Sequence, residues 1–227
     1  MSTAVPRIAG GVVVSVQAGP DSPLHPAEVI AAMAGSAQAG GAAGFRLDGP
    51  EHIAAVRARS ALPIVGIRKR RHPGYDVYIT STVDDAREIV AAGADIVAVD
   101  ATARPRPVPL PELVAAIHDE LGAAVLADVA TVQEGLAAME AGADLVATTM
   151  AGYTDYSADK DGPAFAVCEG IAGQSVPVVV EGRIWTPEHV RRAFDAGAYA
   201  VVVGTAITSP HHITARLVAA SRAGVPA

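Results

Sequence analysis

A short segment recurs four times along the chain, and it constrains the fold more than any other feature. The copies AGGAAGF, AAGADIV, EAGADLV and DAGAYAV begin at residues 39, 91, 140 and 195, so successive copies are 52, 49 and 55 residues apart. Each copy reads as a helix end, a glycine that can close the helix, and the start of a short apolar strand. The repeat therefore predicts regularly spaced helix-to-strand transitions.

Further apolar runs lie between the copies. They are GVVVSVQ (11–17), LPIVGI (62–67), GAAVLADV (122–129) and VPVVVEG (176–182). Interleaving the two sets gives eight strands, each a continuous apolar run, which is typical of parallel strands buried on both faces. The segments DDAREIVAAG and PEHVRRAFDAG show apolar residues at helical spacing with acidic residues in the first turn. Thr131 and Glu134 have the spacing of a helix capping box.

Eight βα units in 227 residues fit a compact (β/α)8 TIM barrel, and we expect a single domain over residues 1–227. A doubly wound open sheet is the alternative. No GxGxxG motif follows the first strand, although such a motif is expected in a dinucleotide-binding sheet of that kind. One repeat per two βα units also favours a closed ring of four quarters.

Composition excludes some classes of function. The net charge is −7, and aromatic residues make up only 4% of the chain, so a nucleic-acid-binding surface is not expected. Cys168 is the sole cysteine, which rules out an internal disulfide, and it reads as a buried apolar residue. The first residues lack a signal-peptide core, and no apolar run approaches the ~20 residues of a membrane helix. We expect a cytoplasmic protein without membrane or nucleic-acid partners.

Active sites of TIM barrels lie at the carboxyl ends of the strands, and every predicted strand here ends in polar residues or a Gly-Thr turn. From the first strand to the eighth these residues are Gln17, Arg46 and Asp48, Lys69, Asp100, Asp128, Thr148 and Thr149, Glu181 and Arg183, and Gly204 and Thr205. Burying a charged group on an apolar strand costs free energy unless the group is paired, so each such residue either has an ion-pair partner or serves a site. For Asp100, a structural ion pair and a site role both remain open.

The seventh and eighth strands run into EGR (181–183) and VGTAITSP (203–210). In many barrels the loops at these two positions hold a phosphate through backbone N–H groups. Gly182, Gly204 and Thr205 are therefore candidate phosphate-binding residues. The alternative is that both glycines only form tight turns.

The stretch GIRKRRHPGYDVYIT (66–80) follows the third strand and carries four adjacent cations. Strand alternation places Lys69 on the face of Val65 and Ile67, and Arg68 and Arg70 on the opposite face. A lysine at a barrel mouth loses hydration, and nearby positive charge lowers its pKa further. A neutral amine is suited to act as a general base or a Schiff-base nucleophile. The arginines either pair with carboxylates or hold an anionic substrate, and a solvated loop without a role is the alternative.

The seven histidines are scattered, and none shows metal-ligand spacing at a strand end. We therefore expect no metal ion, and nothing in the sequence calls for another cofactor.

Taken together, several stretches resemble one known family, the N-acetylmannosamine-6-phosphate 2-epimerases, over nearly the whole chain. They are VSVQAGPDSPL (14–24), GAAGFRLDG (41–49), LPIVGIRKRRHPGYDVYIT (62–80), VLADVATVQEG (125–135), ATTMAGYT (147–154), VVVEGRIWTPE (178–188) and VVVGTAITSP (201–210). The resemblance implies a barrel of the ribulose-phosphate-binding type. It also implies interconversion of N-acetylmannosamine 6-phosphate and N-acetylglucosamine 6-phosphate without a cofactor, in sialic acid and amino-sugar breakdown.

The resemblance also assigns site residues. The family's catalytic lysine and glutamate fall on Lys69 and Glu181, and its substrate-contacting Gln, Arg and Asp fall on Gln17, Arg46 and Asp128. Further candidates for substrate contact are Thr148, Tyr153 and Arg183.

These residue types suit the chemistry. Inverting C2 beside the C1 carbonyl of the opened sugar requires removal of a C–H proton and its return on the other face. Lys69 can move the proton, while Glu181 acts as partner acid or base, or orients Lys69. Asp128 and Arg46 can hold hydroxyl groups and the developing oxyanion. Transfer by one residue and transfer by two both remain open.

The chain departs from the family pattern in three places, one of which is Arg71-His72 in the loop 68–75, where the family often shows an acidic and an aromatic residue. Ser209 stands where many members have Arg in AITRP, and Trp185 stands where a small polar residue is common. Alternative functions are a Schiff-base aldolase that uses Lys69, and a sugar-phosphate-binding protein without catalysis. A homodimer is a further expectation, since barrels of this size commonly pair through helices or loops.

Overall fold

The computed structural model describes residues 3–157 and 162–223. Its centre is a closed barrel of parallel strands in the order β1 to β8. The strands are β1 (Val12–Val16), β2 (Gly44–Asp48), β3 (Ile64–Ile67), β4 (Ile96–Asp100), β5 (Ala124–Asp128), β6 (Leu145–Ala147), β7 (Val178–Glu181) and β8 (Ala200–Val203).

Helices alternate with these strands, and a 3-10 turn at Thr148–Met150 follows β6. The helices are α1 (Ala4–Arg7), α2 (Ala27–Ala39), α3 (Pro50–Arg57), α4 (Val83–Ala91), α5 (Leu110–Leu121), α6 (Val132–Glu140), α7 (Phe165–Ile171), α8 (Pro187–Asp195), α9 (Thr205–Thr208) and α10 (Pro210–Ala223). Of the helices in the described ranges, none has the length and hydropathy needed to cross a membrane.

The register of the first strand shows how the barrel closes. Val13 pairs with Gly44 of β2 on one side and with Val202 of β8 on the other, and both pairings are parallel. Closure leaves the described strands without a free edge. The (β/α)8 prediction is thus confirmed, and the open doubly wound sheet is excluded.

Side-chain alternation along the strands separates two apolar layers. Val65, Ile67 and Leu126 belong to the layer inside the barrel, which Ile8 helps to fill. Their sequence neighbours, such as Ile64, point outward and pack against the helices. Each strand is therefore buried on both faces, as its continuous apolar run predicts.

The recurring segment forms the predicted helix-to-strand transitions. The third residue of every copy is a glycine with a positive φ angle, which is 94° at Gly41, 108° at Gly93, 95° at Gly142 and 90° at Gly197. Residues with a Cβ rarely adopt this conformation, so glycine allows the chain to leave the helix and enter the strand at once. The capping box predicted at Thr131 is also present, since its side chain accepts from the Glu134 N–H and the Glu134 carboxylate accepts from the Thr131 N–H.

The last helix differs from the others. From Pro210 to Ser221 every side chain of α10 is exposed except the half-buried Ile213. Leu217 is 66% and Val218 is 39% exposed. The helix that follows the eighth strand therefore projects from the barrel instead of packing against it.

Candidate active site

A cavity of about 560 Å³ lies at the carboxyl ends of the strands. Nine residues predicted from the sequence line it: Gln17, Arg46, Lys69, Tyr153, Glu181, Gly182, Arg183, Gly204 and Thr205. Polar residues without a predicted site role also line it: Ser15, Tyr78, Trp185, Thr208, Ser209 and His212, together with Thr149, which was predicted to lie at the end of the sixth strand. The barrel thus brings most of the predicted set to one place.

The loop after β3 fixes the position of Lys69. The chain folds back so that Lys69 and Ile79 form an antiparallel bridge. The Lys69 backbone N–H donates to Asp48 Oδ1 at 3.0 Å, and its Nζ donates to Gln17 Oε1 at 2.6 Å. Strands β1, β2 and β3 therefore all contribute to holding this amine in the cavity.

The arginines beside Lys69 point the other way, as strand alternation predicts. Arg68 Nε lies 3.0 Å from Glu88, and Arg70 donates to Asp85 at 2.7 Å and to Glu88 at 2.9 Å. Both carboxylates lie on α4, outside the barrel. The arginines were expected either to pair with carboxylates or to hold an anionic substrate, and the structure shows the carboxylate pairs. Arg70 does not line the cavity. The pairs fasten the loop to α4 while Lys69 faces inward.

The environment of Lys69 lowers its pKa. Its side chain is accessible from the cavity, but surrounding protein atoms replace much of its hydration shell, and this desolvation is the main cause. Asp48 and Glu181 oppose the shift, whereas Arg46 adds to it. The cation that lowers the pKa therefore comes from β2, not from the arginines adjacent in sequence. A lower pKa gives a larger fraction of neutral amine.

A buried ion cluster lies beneath the cavity. The Arg46 guanidinium donates to both Asp128 oxygens, at 3.0 and 2.6 Å, and lies 2.9 Å from Glu181 Oε2. The Thr149 hydroxyl is 2.6 Å from Asp128 Oδ1 and 3.2 Å from Glu181 Oε2. The Arg46 guanidinium thereby links residues of strands β2, β5 and β7.

The cluster shifts the pKa of its members. Burial alone would lower the pKa of Arg46, but the carboxylates of Asp128 and Glu181 outweigh it and raise that pKa. Desolvation raises the pKa of Glu181, and the charge of Asp128 adds to this, while Arg46 opposes it. Glu181 thus holds a proton more readily than an ordinary glutamate, and Arg46 stays charged.

Two predicted substrate-binding residues do not line the cavity. The Thr148 hydroxyl donates to the backbone carbonyl of Glu181 at 3.0 Å, and Thr149 faces the cavity in its place. Alternation from Leu145 through Ala147 would have indicated Thr149. Asp128 points inward as predicted, but it is fully buried behind Arg46.

Asp100, for which a structural and a functional role were both open, lies in an ion pair with Arg104 at 2.6 Å and accepts from the Thr102 hydroxyl at 2.7 Å. Burial raises the pKa of Asp100 despite these partners. Cys168 is buried, and burial raises the pKa of its thiol to about 11, which does not suit a nucleophile.

The loops after β7 and β8 form one wall of the cavity. Gly182 and Arg183 both have positive φ angles, of 107° and 57°. Such a conformation costs a non-glycine residue such as Arg183 of order 1–3 kcal/mol, and strained residues of this kind cluster at active sites and ligand-binding segments. The Thr208 hydroxyl donates to the backbone carbonyl of Ser15 at 2.8 Å, which ties α9 to β1. Within residues 3–157 and 162–223, no group of three or more His, Cys, Asp or Glu side chains is arranged to hold a metal ion.

Comparison with known proteins agrees with this geometry. The family model described as "Putative N-acetylmannosamine-6-phosphate epimerase" matches residues 30–223. The chain belongs to this family. A relative from Caldanaerobacter subterraneus, named as a putative N-acetylmannosamine-6-phosphate 2-epimerase, is 43% identical over 94% of this chain and 92% of its own length. A relative of the same name from Synechococcus elongatus is 49% identical over 89% of each chain.

A solved structure is also similar. It is that of the N-acetylmannosamine-6-phosphate 2-epimerase from Clostridium perfringens. The two chains are 39% identical, the match covers 95% of each, and the TM-score is 0.92. The whole barrel is therefore shared with an enzyme of this family.

Proposed function

We propose that the protein converts N-acetyl-D-mannosamine 6-phosphate to N-acetyl-D-glucosamine 6-phosphate by inversion at C2. Beyond family membership, one observation carries the proposal. The cavity holds an amine with a lowered pKa, Lys69, and a carboxyl group with a raised pKa, Glu181. Both shifts move the groups toward the neutral forms that proton transfer near neutral pH requires.

The two groups approach from opposite sides. Lys69 follows β3 and Glu181 ends β7, and in a ring of eight strands these two are four strands apart. A substrate between them presents one face of C2 to each. We propose that Lys69 Nζ takes the C2 proton, which leaves an enolate, and that Glu181 donates a proton to the opposite face. Solvent exchange then returns both groups to their starting forms.

The buried cluster sets the properties of Glu181. Because Asp128 and Thr149 hold Arg46 and Glu181 in place, the carboxyl group is fixed relative to the cavity. Asp128 is fully buried, so its proposed role is to position Arg46 rather than to contact the sugar hydroxyl groups. This differs from the role that the resemblance implies.

The charge of the cavity supports an anionic substrate. Arg46, Lys69 and Arg183 line it, whereas Glu181 is the sole acidic residue among its described lining residues. Asp128 compensates the charge of Arg46, so Lys69 and Arg183 supply the positive charge that can attract an anion, in a chain whose net charge is −7. We propose that the phosphate group binds on the side of the β7 and β8 loops, near Gly182, Gly204 and Thr205.

Conversion of the phosphosugar by purified protein, followed by proton NMR, tests the proposal. A positioned acid–base group contributes about 10²–10⁴-fold to the rate, so Lys69→Met is expected to lower kcat by that factor. Arg71→Met is the matched control, since Arg71 belongs to the same cationic run but is exposed. No conversion by wild-type protein, or equal effects of the two variants, would contradict the proposal.

The Schiff-base aldolase remains the alternative because it needs the same neutral amine. The chain has two lysines, Lys69 and Lys160. Borohydride reduction with the phosphosugar present would attach the substrate covalently to Lys69 if an imine formed. The epimerase proposal predicts no adduct at this residue in a peptide mass map.

We also propose that the protein forms a homodimer through α10. A groove of about 690 Å³ on the outside of the barrel is lined by apolar residues that include Val14, Met33 and Ile207. The chain's own α10 projects away and exposes Leu217 and Val218. The groove lies beside β1 and α9, where the helix after β8 would complete the ring, so α10 of a second copy fits it. A cytoplasmic location and a step in sialic acid and amino-sugar breakdown are further proposals, which rest on the substrate.

A further inference from the structure

The wall of the cavity formed after β7 and β8 contains more than the predicted glycines. We call this wall the phosphate side. It includes Gly182, Trp185, Gly204, Thr205, Ser209 and His212. The function proposed above places the phosphate group of the substrate here, and the inference below rests on that placement. A phosphate carries close to two negative charges near neutral pH and accepts several hydrogen bonds.

Basic side chains that line the cavity within the described residues are few: Arg46, Lys69, Arg183 and His212. Arg46 is committed to Asp128 and Glu181 beneath the cavity floor. Lys69 donates its Nζ hydrogen to Gln17, and the function proposed above uses this amine for the C2 proton. Arg183 and His212 therefore remain as the basic residues next to the phosphate side.

Arg183 is turned toward the loop after β6. Its Nε donates to the backbone carbonyl of Gly162 at 2.5 Å, and its guanidinium lies 5.7 Å from the centre of the Tyr153 ring. These contacts hold it at one end of the phosphate side. On the end next to β8 and α10, His212 is the basic side chain that reaches the cavity.

Ser209 orients the imidazole of His212. The Ser209 Oγ and the His212 Nδ1 are 2.6 Å apart. When the hydroxyl donates to Nδ1, the ring hydrogen lies on Nε2, which is then free to donate to another acceptor. Among the contacts of the described residues, no protein acceptor occupies Nε2.

The start of α10 is also fastened to the β7 loop. The Arg216 guanidinium lies 4.7 Å from the centre of the Trp185 ring, within the range of a cation–π contact. Trp185 in turn donates its backbone N–H to His189 Nδ1 at 3.3 Å. His212 stands one helical turn before Arg216, so this contact helps to keep the imidazole next to the cavity although the rest of α10 projects outward.

We infer that His212 is a specificity-determining residue whose Nε2–H donates a hydrogen bond to the phosphate group of the substrate, with Ser209 holding the ring through Nδ1. Arg183 and His212 then flank the phosphate from its two ends. The preference for a phosphorylated sugar would thus depend on a residue of the last helix.

His212→Ala tests the inference, with Thr214→Ala as control, because Thr214 is exposed on the same helix but does not line the cavity, whereas the His211 ring packs on the His212 ring at 4.0 Å. A hydrogen bond to a charged group contributes enough for a change of about tenfold or more in affinity. We expect His212→Ala to raise KM for N-acetylmannosamine 6-phosphate about tenfold, with kcat within about twofold of wild type. Slow C2 exchange of unphosphorylated N-acetylmannosamine is expected to stay unchanged, and His212→Arg is expected to restore KM. Equal KM values for the His212→Ala and Thr214→Ala variants would overturn the inference.

Binding of inorganic phosphate separates this inference from the proposed function. Isothermal titration of the wild-type protein and of the His212→Ala variant requires no turnover. About tenfold weaker binding by the variant supports the inference even if the wild-type protein does not epimerise the sugar. Equal phosphate affinity of the two proteins overturns it even if epimerisation is found. Both substituted positions are exposed, and a circular dichroism melt of each variant verifies its fold.

Discussion

Replacing Arg46 by methionine tests the buried ion cluster on which the proposed acid–base pair depends. The side chains of Arg46 and Asp128 are 1% and 0% exposed and share two hydrogen bonds. Without the guanidinium, Asp128 would be a buried carboxylate that lacks a compensating charge. Removing one partner of a buried pair costs about 3–5 kcal/mol. For a chain of this length that corresponds to a melting temperature lower by roughly 6–20 °C.

Urea unfolding followed by circular dichroism at 25 °C measures this loss. Arg191→Met is the control, because Arg191 and Glu188 are 67% and 68% exposed and solvent screens such a pair, so its loss should change stability little. The double variant Arg46→Met, Asp128→Leu is expected to recover part of the loss, since the fully buried carboxylate of Asp128 is then removed too and only Glu181 lacks its partner. A cost below about 1 kcal/mol for Arg46→Met, or one equal to that of the control, would refute this reasoning.

Three further predictions follow from single features. Because desolvation lowers the pKa of Lys69, and the base must be neutral, kcat/KM should rise with pH along a limb centred below the ordinary lysine value of about 10.4; a limb at or above that value contradicts the assignment. Gly66→Ala should lower the free energy of unfolding by about 1–3 kcal/mol in urea, since the new Cβ would lie 2.6 Å from the Ala94 Cβ. Gly19→Ala is the control: its new Cβ would meet open space, and the free energy of unfolding should change by less than ~1 kcal/mol. Leu217→Glu should convert a dimer to a monomer in light scattering after gel filtration, and an unchanged mass would refute the role of α10.

Much of the fold could be predicted because strand burial and helix ends leave local signals. Gly93 and its three counterparts mark positions where only a positive φ lets the chain turn from helix to strand. Continuous apolar runs revealed burial on both faces, and that burial follows from parallel pairing inside a ring of helices. Strand alternation also placed Lys69 inward and Arg70 outward correctly.

The features that could not be predicted depend on how far a side chain extends and on contacts between residues that are distant in the sequence. Asp128 and Arg46 both point inward, but sequence does not reveal that the longer side chain crosses the barrel and covers the shorter one. Strand alternation favours Thr149, which lines the cavity, over Thr148, which does not, but the expected substrate contact was assigned to Thr148. His212 reaches the cavity only because of the direction that α10 takes, and this direction is not encoded in the local pattern around residues 209–216.

The most direct test of the account is the fate of the C2 hydrogen. The purified protein is incubated with N-acetylmannosamine 6-phosphate in D₂O, and proton NMR is recorded at low conversion. Transfer by Lys69 and Glu181 on opposite faces predicts N-acetylglucosamine 6-phosphate that carries deuterium at C2, while the remaining substrate keeps its hydrogen. Product that retains protium at C2 would contradict removal by one residue and return by another, and with it the central claim.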